Sequence, residues 1–256
     1  MYPKWRGICG ILTLTASLAI MGCGNNNGNA NVRAVNASTG FAPFTYQVGQ
    51  IGIAAGLPYG TEGVEPKANY ATNDTSGAYR IVGAGINQTV STYATPGTTL
   101  ATGTQTLLKN GYYSVVSFGA SPTMGLAVLT DDDTAPPSGQ YKLRFVNYSS
   151  YAAVDVYIVP VGGVPSGNPT IGNVGVNDPV YLPLAPGTLS ILVTPTGDPS
   201  TVLSAAAFSP AAGDIYSVFF VSPNPGQPPP NPGDTGYGIS IVNDPVAATT
   251  TTSSGS

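Results

Sequence analysis

The chain has 256 residues, enough for one large domain or two of ordinary size, and 42% of them are hydrophobic, which supplies a core. Only 8% are charged, with 8 basic against 12 acidic groups and no histidine, so there is no basic patch for nucleic acid and no imidazole for a catalytic triad. Gly (33) and Pro (24) disfavour helices, while Val, Thr and Tyr suit pleated strands, and the composition reads as all-β.

The first element is a leader. Lys4 and Arg6 form a short positive region, and Ile8 to Ile20 is a mainly apolar run of about 20 Å as a helix, against a hydrocarbon core of about 30 Å. A cleaved signal over residues 1–22 fits that length better than a membrane span. The stretch Ile20-Met21-Gly22-Cys23 resembles a bacterial lipobox. That resemblance implies that Cys23 becomes the mature N-terminus, carrying diacylglycerol and an acyl chain such as palmitate, and that the protein is membrane-anchored in the cell envelope. The competing reading is a secreted protein with a coincidental cysteine. Cys9 would be lost with the leader, so no disulfide could form and the fold would rest on its apolar core. Loss of Lys4 and Arg6 would leave six basic against twelve acidic groups, a net charge near −6. Residues 23–30 read as a flexible Asn/Gly tether. Gly24 stands where inner-membrane retention would want Asp, which favours the outer membrane in a host with two membranes.

An internal repeat follows. Asn31 to Ser38 matches Lys142 to Ser149 at an offset of 111, with Arg33/Arg144, Val35/Val146, Asn36/Asn147 and Ser38/Ser149 identical. Tyr79 matches Tyr181 at 102, Tyr113 matches Tyr216 at 103, and Gly125 to Asp131 matches Gly238 to Asp244 at 113. Two modules are therefore expected, at 31–130 and 141–246, joined by a linker at 131–140. The periods of two at Val32–Val35, Leu143–Val146, Val154–Val159, Leu189–Val193 and Ile215–Val221 predict half-buried strands. About seven strands per module would make two tandem Ig-like antiparallel β-sandwiches. The proline-rich stretch 223–234 reads as an inserted loop, and 247–256 as a disordered tail.

The run Leu-Arg-Phe-Val-Asn-Tyr-Ser (143–149), Val154-Asp-Val-Tyr157, Ala-Pro-Gly (185–187), Ala-Gly-Asp-Ile-Tyr-Ser-Val (212–218) and the linker Val-Leu-Thr-Asp-Asp-Asp-Thr-Ala-Pro-Pro (128–137) resemble the bacterial domain of unknown function 4397, in two copies. In the first module Pro43-Phe-Thr-Tyr46 stands where the second has Val-Asp-Val-Tyr. The resemblance implies an extracytoplasmic β-sandwich and brings no catalytic residues with it.

Candidate chemistry is sparse. Glu62 and Glu65, the only glutamates, read as solvated loop residues rather than a glycosidase pair. Asp131-Asp132-Asp133 has two readings, a solvated linker and an interdomain calcium clip, although the D-x-D-x-D-G spacing is missing. Asp155 is expected to face outward from its strand. Arg33 and Arg144 are expected to pair with a carboxylate or cap a sheet edge. Tyr112, Tyr113, Tyr148, Tyr151 and Tyr157 either pack in the core or stack on sugars, with Tyr148, Tyr151 and Tyr157 the speculative ligand contacts. Asn-x-Ser/Thr sequons occur at Asn36, Asn73, Asn87 and Asn147. The expectation is a non-enzymatic lipid-anchored envelope protein without cofactor or metal, structural, adhesive or scaffolding in role. The alternative is a surface binding module for a polysaccharide or protein partner.

Overall fold

The structure, a computed structural model, describes residues 28–63, 79–94, 97–222, 236–244 and 246. Cys23, Glu65, Asn73, the 223–234 insertion and the tail from 247 lie outside the described residues. Among those described there is no helix, and every regular element is a strand.

Nine strands come first: β1 (Asn29–Thr39), β2 (Phe44–Val48), β3 (Ile51–Ala55), β4 (Thr61–Gly63), β5 (Arg80–Gly83), β6 (Gly85–Ala94), β7 (Thr98–Leu107), β8 (Tyr112–Ala120) and β9 (Thr123–Thr130). Eight follow: β10 (Tyr141–Tyr148), β11 (Ala153–Pro160), β12 (Ile171–Gly175), β13 (Val180–Leu184), β14 (Leu189–Pro195), β15 (Ser204–Phe208), β16 (Ile215–Val221) and β17 (Gly238–Asp244). These exceed the expected seven because long loops contribute short edge strands. Asn29 and Ala30, expected in the tether, belong to β1.

The first group makes an outer sheet β3-β2-β6-β7 and an inner sheet β4-β1-β8-β9, with β5 also on β1. The second makes an inner sheet β13-β10-β16-β17 and an outer sheet β12-β11-β14-β15. Pairing is antiparallel except in the middle of each inner sheet, where β1 runs parallel to β8 and β10 parallel to β16. The β8–β9 hairpin turns at residues 121–122. Just before it Gly119, paired with Met124, has φ of +91° and a place where a Cβ would sit 2.8 Å from the Thr123 carbonyl oxygen, so only glycine fits.

Three apolar layers hold the four sheets. Val32, Ala34, Tyr46, Val90 and Val115 fill the first sandwich, and Leu143, Phe145, Val156, Ile191 and Phe220 the second. Between the inner sheets lie Val35, Ala37, Val116, Leu129, Val146, Tyr148, Phe219, Val221 and Val242. Hence the period of two in β1 and β10 is real, but its second face is not solvated. Every residue of β10 is buried, because one face meets its own outer sheet and the other meets the neighbouring sandwich. The two inner sheets run in the same sense. Arg33 and Arg144 meet near their strand starts, and Phe118 stacks on Tyr148 at 4.1 Å near the strand ends.

Candidate functional site

Five ionisable residues, Arg33, Glu62, Asp131, Arg144 and Asp244, converge between the two inner sheets. Register sets the first contacts. Arg33 lies opposite Ser114 across the β1–β8 pair, and Arg144 opposite Ser217 across β10–β16. Each guanidinium Nε donates to the facing hydroxyl, at 2.8 and 2.7 Å. Ser114 donates to Asp131 at 2.9 Å, and Ser217 to Asp244 at 2.5 Å. Both aspartates end the antiparallel strand next door, Asp131 just past β9 and Asp244 closing β17.

The arginines then cross the joint. Arg33 Nη2 reaches Asp244 Oδ1 of the other sandwich at 2.5 Å, and Arg144 Nη1 reaches Asp131 Oδ1 at 2.7 Å. Weaker contacts stay within each half, Arg33 Nε to Asp131 at 3.6 Å and Arg144 Nη2 to Asp244 at 3.3 Å. Aromatic lids complete the two-fold pattern. The Tyr79 ring lies 5.6 Å from the Arg33 guanidinium and the Tyr181 ring 5.5 Å from that of Arg144. Tyr79 donates to Asp131 Oδ2 at 2.9 Å, while the Tyr181 hydroxyl accepts from the Asp132 amide at 3.2 Å.

Glu62 breaks the symmetry. On β4 it pairs with Arg33 Nη1, and no carboxylate occupies the matching place on Arg144 among the described residues. Two guanidinium groups therefore meet three carboxylates, one negative charge in excess when all are ionised. Burial disfavours the Glu62 carboxylate most, Arg33 favours it, and Asp244 and Asp131 oppose it, so its pKa is pushed up to about 7. For both arginines burial works against the charge. The facing carboxylates outweigh it and raise the pKa, so both stay protonated.

Several expectations change here. Glu62 is a half-buried ion-pair member rather than a solvated loop residue, because β4 folds it onto Arg33. Asp131 is not solvated linker: its side chain is 3% exposed and committed to Arg144, Ser114 and Tyr79. Asp132 accepts from Thr134 and pairs with Lys142 at 3.0 Å, and Lys142 Nζ also donates to the Thr134 carbonyl at 2.6 Å, so this part of 131–140 is pinned. No group of three or more acidic, His or Cys side chains among the described residues is placed to hold a metal ion. Asp155 points away from the core, as expected, yet is buried. It accepts from the Asn173 amide at 2.7 Å and the Gly197 amide at 2.9 Å, tying β12 and the β14–β15 loop to β11.

Burial removes two of the three tyrosine ligand contacts, Tyr148 and Tyr157. Tyr148 is sandwiched between Phe118 and Phe219, with ring centroids at 4.1 and 6.0 Å, and Tyr157 is equally covered. Tyr151 is half-buried against Tyr237 at 5.3 Å, and Tyr113 lies in the core. None of Tyr113, Tyr148 and Tyr157 offers a ring face to a sugar. The comparison of Tyr46 with Tyr157 also breaks down: Tyr46 points into its core, whereas Val154 and Val156 do so on β11.

The repeated Asn-x-Ser has a structural reason. The Asn36 and Asn147 side-chain oxygens each accept from the amide and hydroxyl of the serine two residues on. Their amide nitrogens donate to backbone carbonyls beyond the strand, Leu57 for Asn36, and Tyr151 and Val174 of β12 for Asn147. Both side chains are buried, so the motif ends a strand rather than marking a glycan site.

Two buried arginines with their serines, aspartates and tyrosine lids thus appear once per sandwich, at positions the repeat aligns. The model of the domain of unknown function (DUF4397) matches residues 30–157, half of the chain, running from β1 through β9 into β11. The chain belongs to this family. Arg33, Ser114, Asp131 and Arg144 all fall inside the DUF4397 match, so one family span already contains both halves of the Arg144–Asp131 pair. No curated protein matches the chain.

Chemically, the cluster is a lock. The Ser114 and Ser217 hydroxyls are fully buried between an arginine and an aspartate, so no substrate reaches them. What the arrangement does is hold the sandwiches in one register through crossed charge-assisted hydrogen bonds.

Proposed function

We propose that this DUF4397 protein is a non-enzymatic, lipid-anchored component of the bacterial cell envelope that serves as a rigid structural, adhesive or scaffolding body. The observation that supports this reading is the joint between the sandwiches. An apolar layer and a crossed ion-pair cluster occupy the same interface, so two repeats behave as one stiff unit rather than as beads on a linker. A spacer or scaffold needs that stiffness. The leader and the lipobox-like Ile20-Met21-Gly22-Cys23 supply the anchor in this reading, with the outer membrane as its site in a two-membrane host. Wild-type protein should incorporate labelled palmitate and fractionate with membranes, and Cys23→Ala should do neither. Retention of both by Cys23→Ala would remove the anchor, and cleavage of an envelope polymer by pure protein would remove the non-enzymatic role.

A second reading, a surface binding module for a polysaccharide, is favoured by one feature. An open concavity of about 690 Å³ on the outer face of β2 and β6 is lined by Thr45, Gln47, Gln50, Thr89 and Tyr93, with no acidic or basic side chain among the described residues of its wall. Such a wall suits a neutral, hydroxyl-rich ligand, with Tyr93 in place of the buried tyrosines. Affinity electrophoresis against neutral glycans decides it: retardation lost in Tyr93→Ala supports binding, and none across a broad panel rejects it.

A further inference from the structure

The most exposed large apolar side chains of the described residues are Val164 (70%), Ile86 (69%), Leu108 (59%) and Val161 (55%). They share one end of the molecule. Gly83 pairs with Asn29, the first residue of β1, and Ala84 donates to the Gly28 carbonyl at 2.8 Å, which brings the β5–β6 connection and Ile86 to the point where the chain enters. Leu108 follows β7, and Asn110 in the same turn donates to the Asn29 carbonyl at 2.7 Å. In the second sandwich Val161 and Val164 follow β11, whose last residue Pro160 pairs with Leu189. Leu189 pairs in turn with Phe208, which packs on Tyr141 at 5.6 Å, at the start of β10. Because the inner sheets run in the same sense, the starts of β1 and β10 lie at the same end.

We propose that this end is a membrane-contacting face, seated on the lipid surface by the anchor; the inference rests on the acylation of Cys23 proposed above. Covalent geometry favours a bilayer as the occupant. Cys23 and Asn29 are six residues apart, a span of at most about 20 Å, so an acylated Cys23 holds this end and not the opposite one near the lipid. Branched apolar side chains at the start of β6, in the turn after β7 and in the loop after β11 can then enter the interfacial region, where burying apolar area drives binding. The charges nearby do not steer this contact. Lys109 lies across Gly28, Lys142 is paired with Asp132, and Asp133 and Asp214 are acidic, so binding is apolar and insensitive to salt.

The test uses the acylated full-length protein in phosphatidylcholine vesicles. Apart from the thioether-linked Cys23, the processed chain would have no cysteine, so Leu108→Cys, Val164→Cys and, at the opposite end, Val202→Cys each take one polarity-sensitive fluorophore. Quenching by nitroxide-bearing lipids should be at least twofold stronger at 108 and 164 than at 202, and unchanged between 0.05 and 0.5 M salt. Equal quenching at all three positions on protein that floats with vesicles overturns the membrane-contacting face while leaving the anchor intact. Failure to incorporate palmitate and to float overturns both readings together.

Discussion

Arg33 of the first sandwich and Asp244 of the second are 211 residues apart in sequence and 2.5 Å apart in space. The pair is one half of a crossed set, since Arg144 returns the contact to Asp131 at 2.7 Å. Each arginine is oriented by a serine of its own sandwich and neutralised by an aspartate of the other. Separating the sandwiches would therefore expose charges held in a fixed geometry as well as apolar surface.

Arg144→Met leaves Asp131 and Asp244 buried with one fewer cation. Breaking one side of a buried pair costs about 3–5 kcal/mol, so the urea midpoint should fall sharply. A cycle with Asp131→Asn should show coupling of at least about 1 kcal/mol between these two residues. Additive single effects would mean that the joint rests on apolar contacts alone.

Glu62 makes stability depend on pH with an unusual sign for a carboxylate. Its folded pKa of about 7 lies above the ordinary 4.5, so the folded state holds the proton more tightly. Its contribution is fully present below pH 4.5, declines as pH rises through this window, and is lost above about 7. The slope cannot exceed about 1.4 kcal/mol per pH unit. Glu62→Gln stays neutral throughout, so its stability relative to wild type should grow from pH 5 to pH 8, by roughly 1–3 kcal/mol. Urea titrations of both proteins at four pH values check it, and a constant difference refutes it.

Tyr148 is buried between two phenylalanine rings and its hydroxyl has no hydrogen-bond partner. Tyr148→Phe should be neutral or stabilising by up to about 1 kcal/mol, because it deletes an unpaired polar group. Tyr148→Ala empties the apolar layer between the sandwiches and should cost about 3–5 kcal/mol. Calorimetry on the two variants separates ring from hydroxyl.

Asn147 satisfies a loop carbonyl, a β12 carbonyl and a serine amide at once. Asn147→Ala leaves these groups without that partner and should cost about 1–3 kcal/mol. Asn36→Ala should cost a similar amount, because its amide serves the Leu57 carbonyl and its oxygen also accepts from Ser117 at 3.3 Å. Hydrogen exchange should rise first in the loop after β10 for the Asn147 variant.

Fold class was legible in the sequence because Gly, Pro, Val, Thr and Tyr act locally, through backbone freedom and strand pleat, and the repeat is visible by identity. The repeat even aligned Arg33 with Arg144, Tyr79 with Tyr181 and Asp131 with Asp244. It could not show that these residues meet, because their contacts cross from one repeat to the other. Glu62 had no partner in the repeat and so carried no signal. Solvation of the second face of β1 and β10 was misjudged for the same reason: a period of two says which residues share a face, and only the stacking of the inner sheets says what covers it. The sequence by itself determined strands, turns and polar positions. Tertiary structure decided which polar residues became a buried lock, since burial and charge pairing depend on surfaces that the chain brings together only when folded.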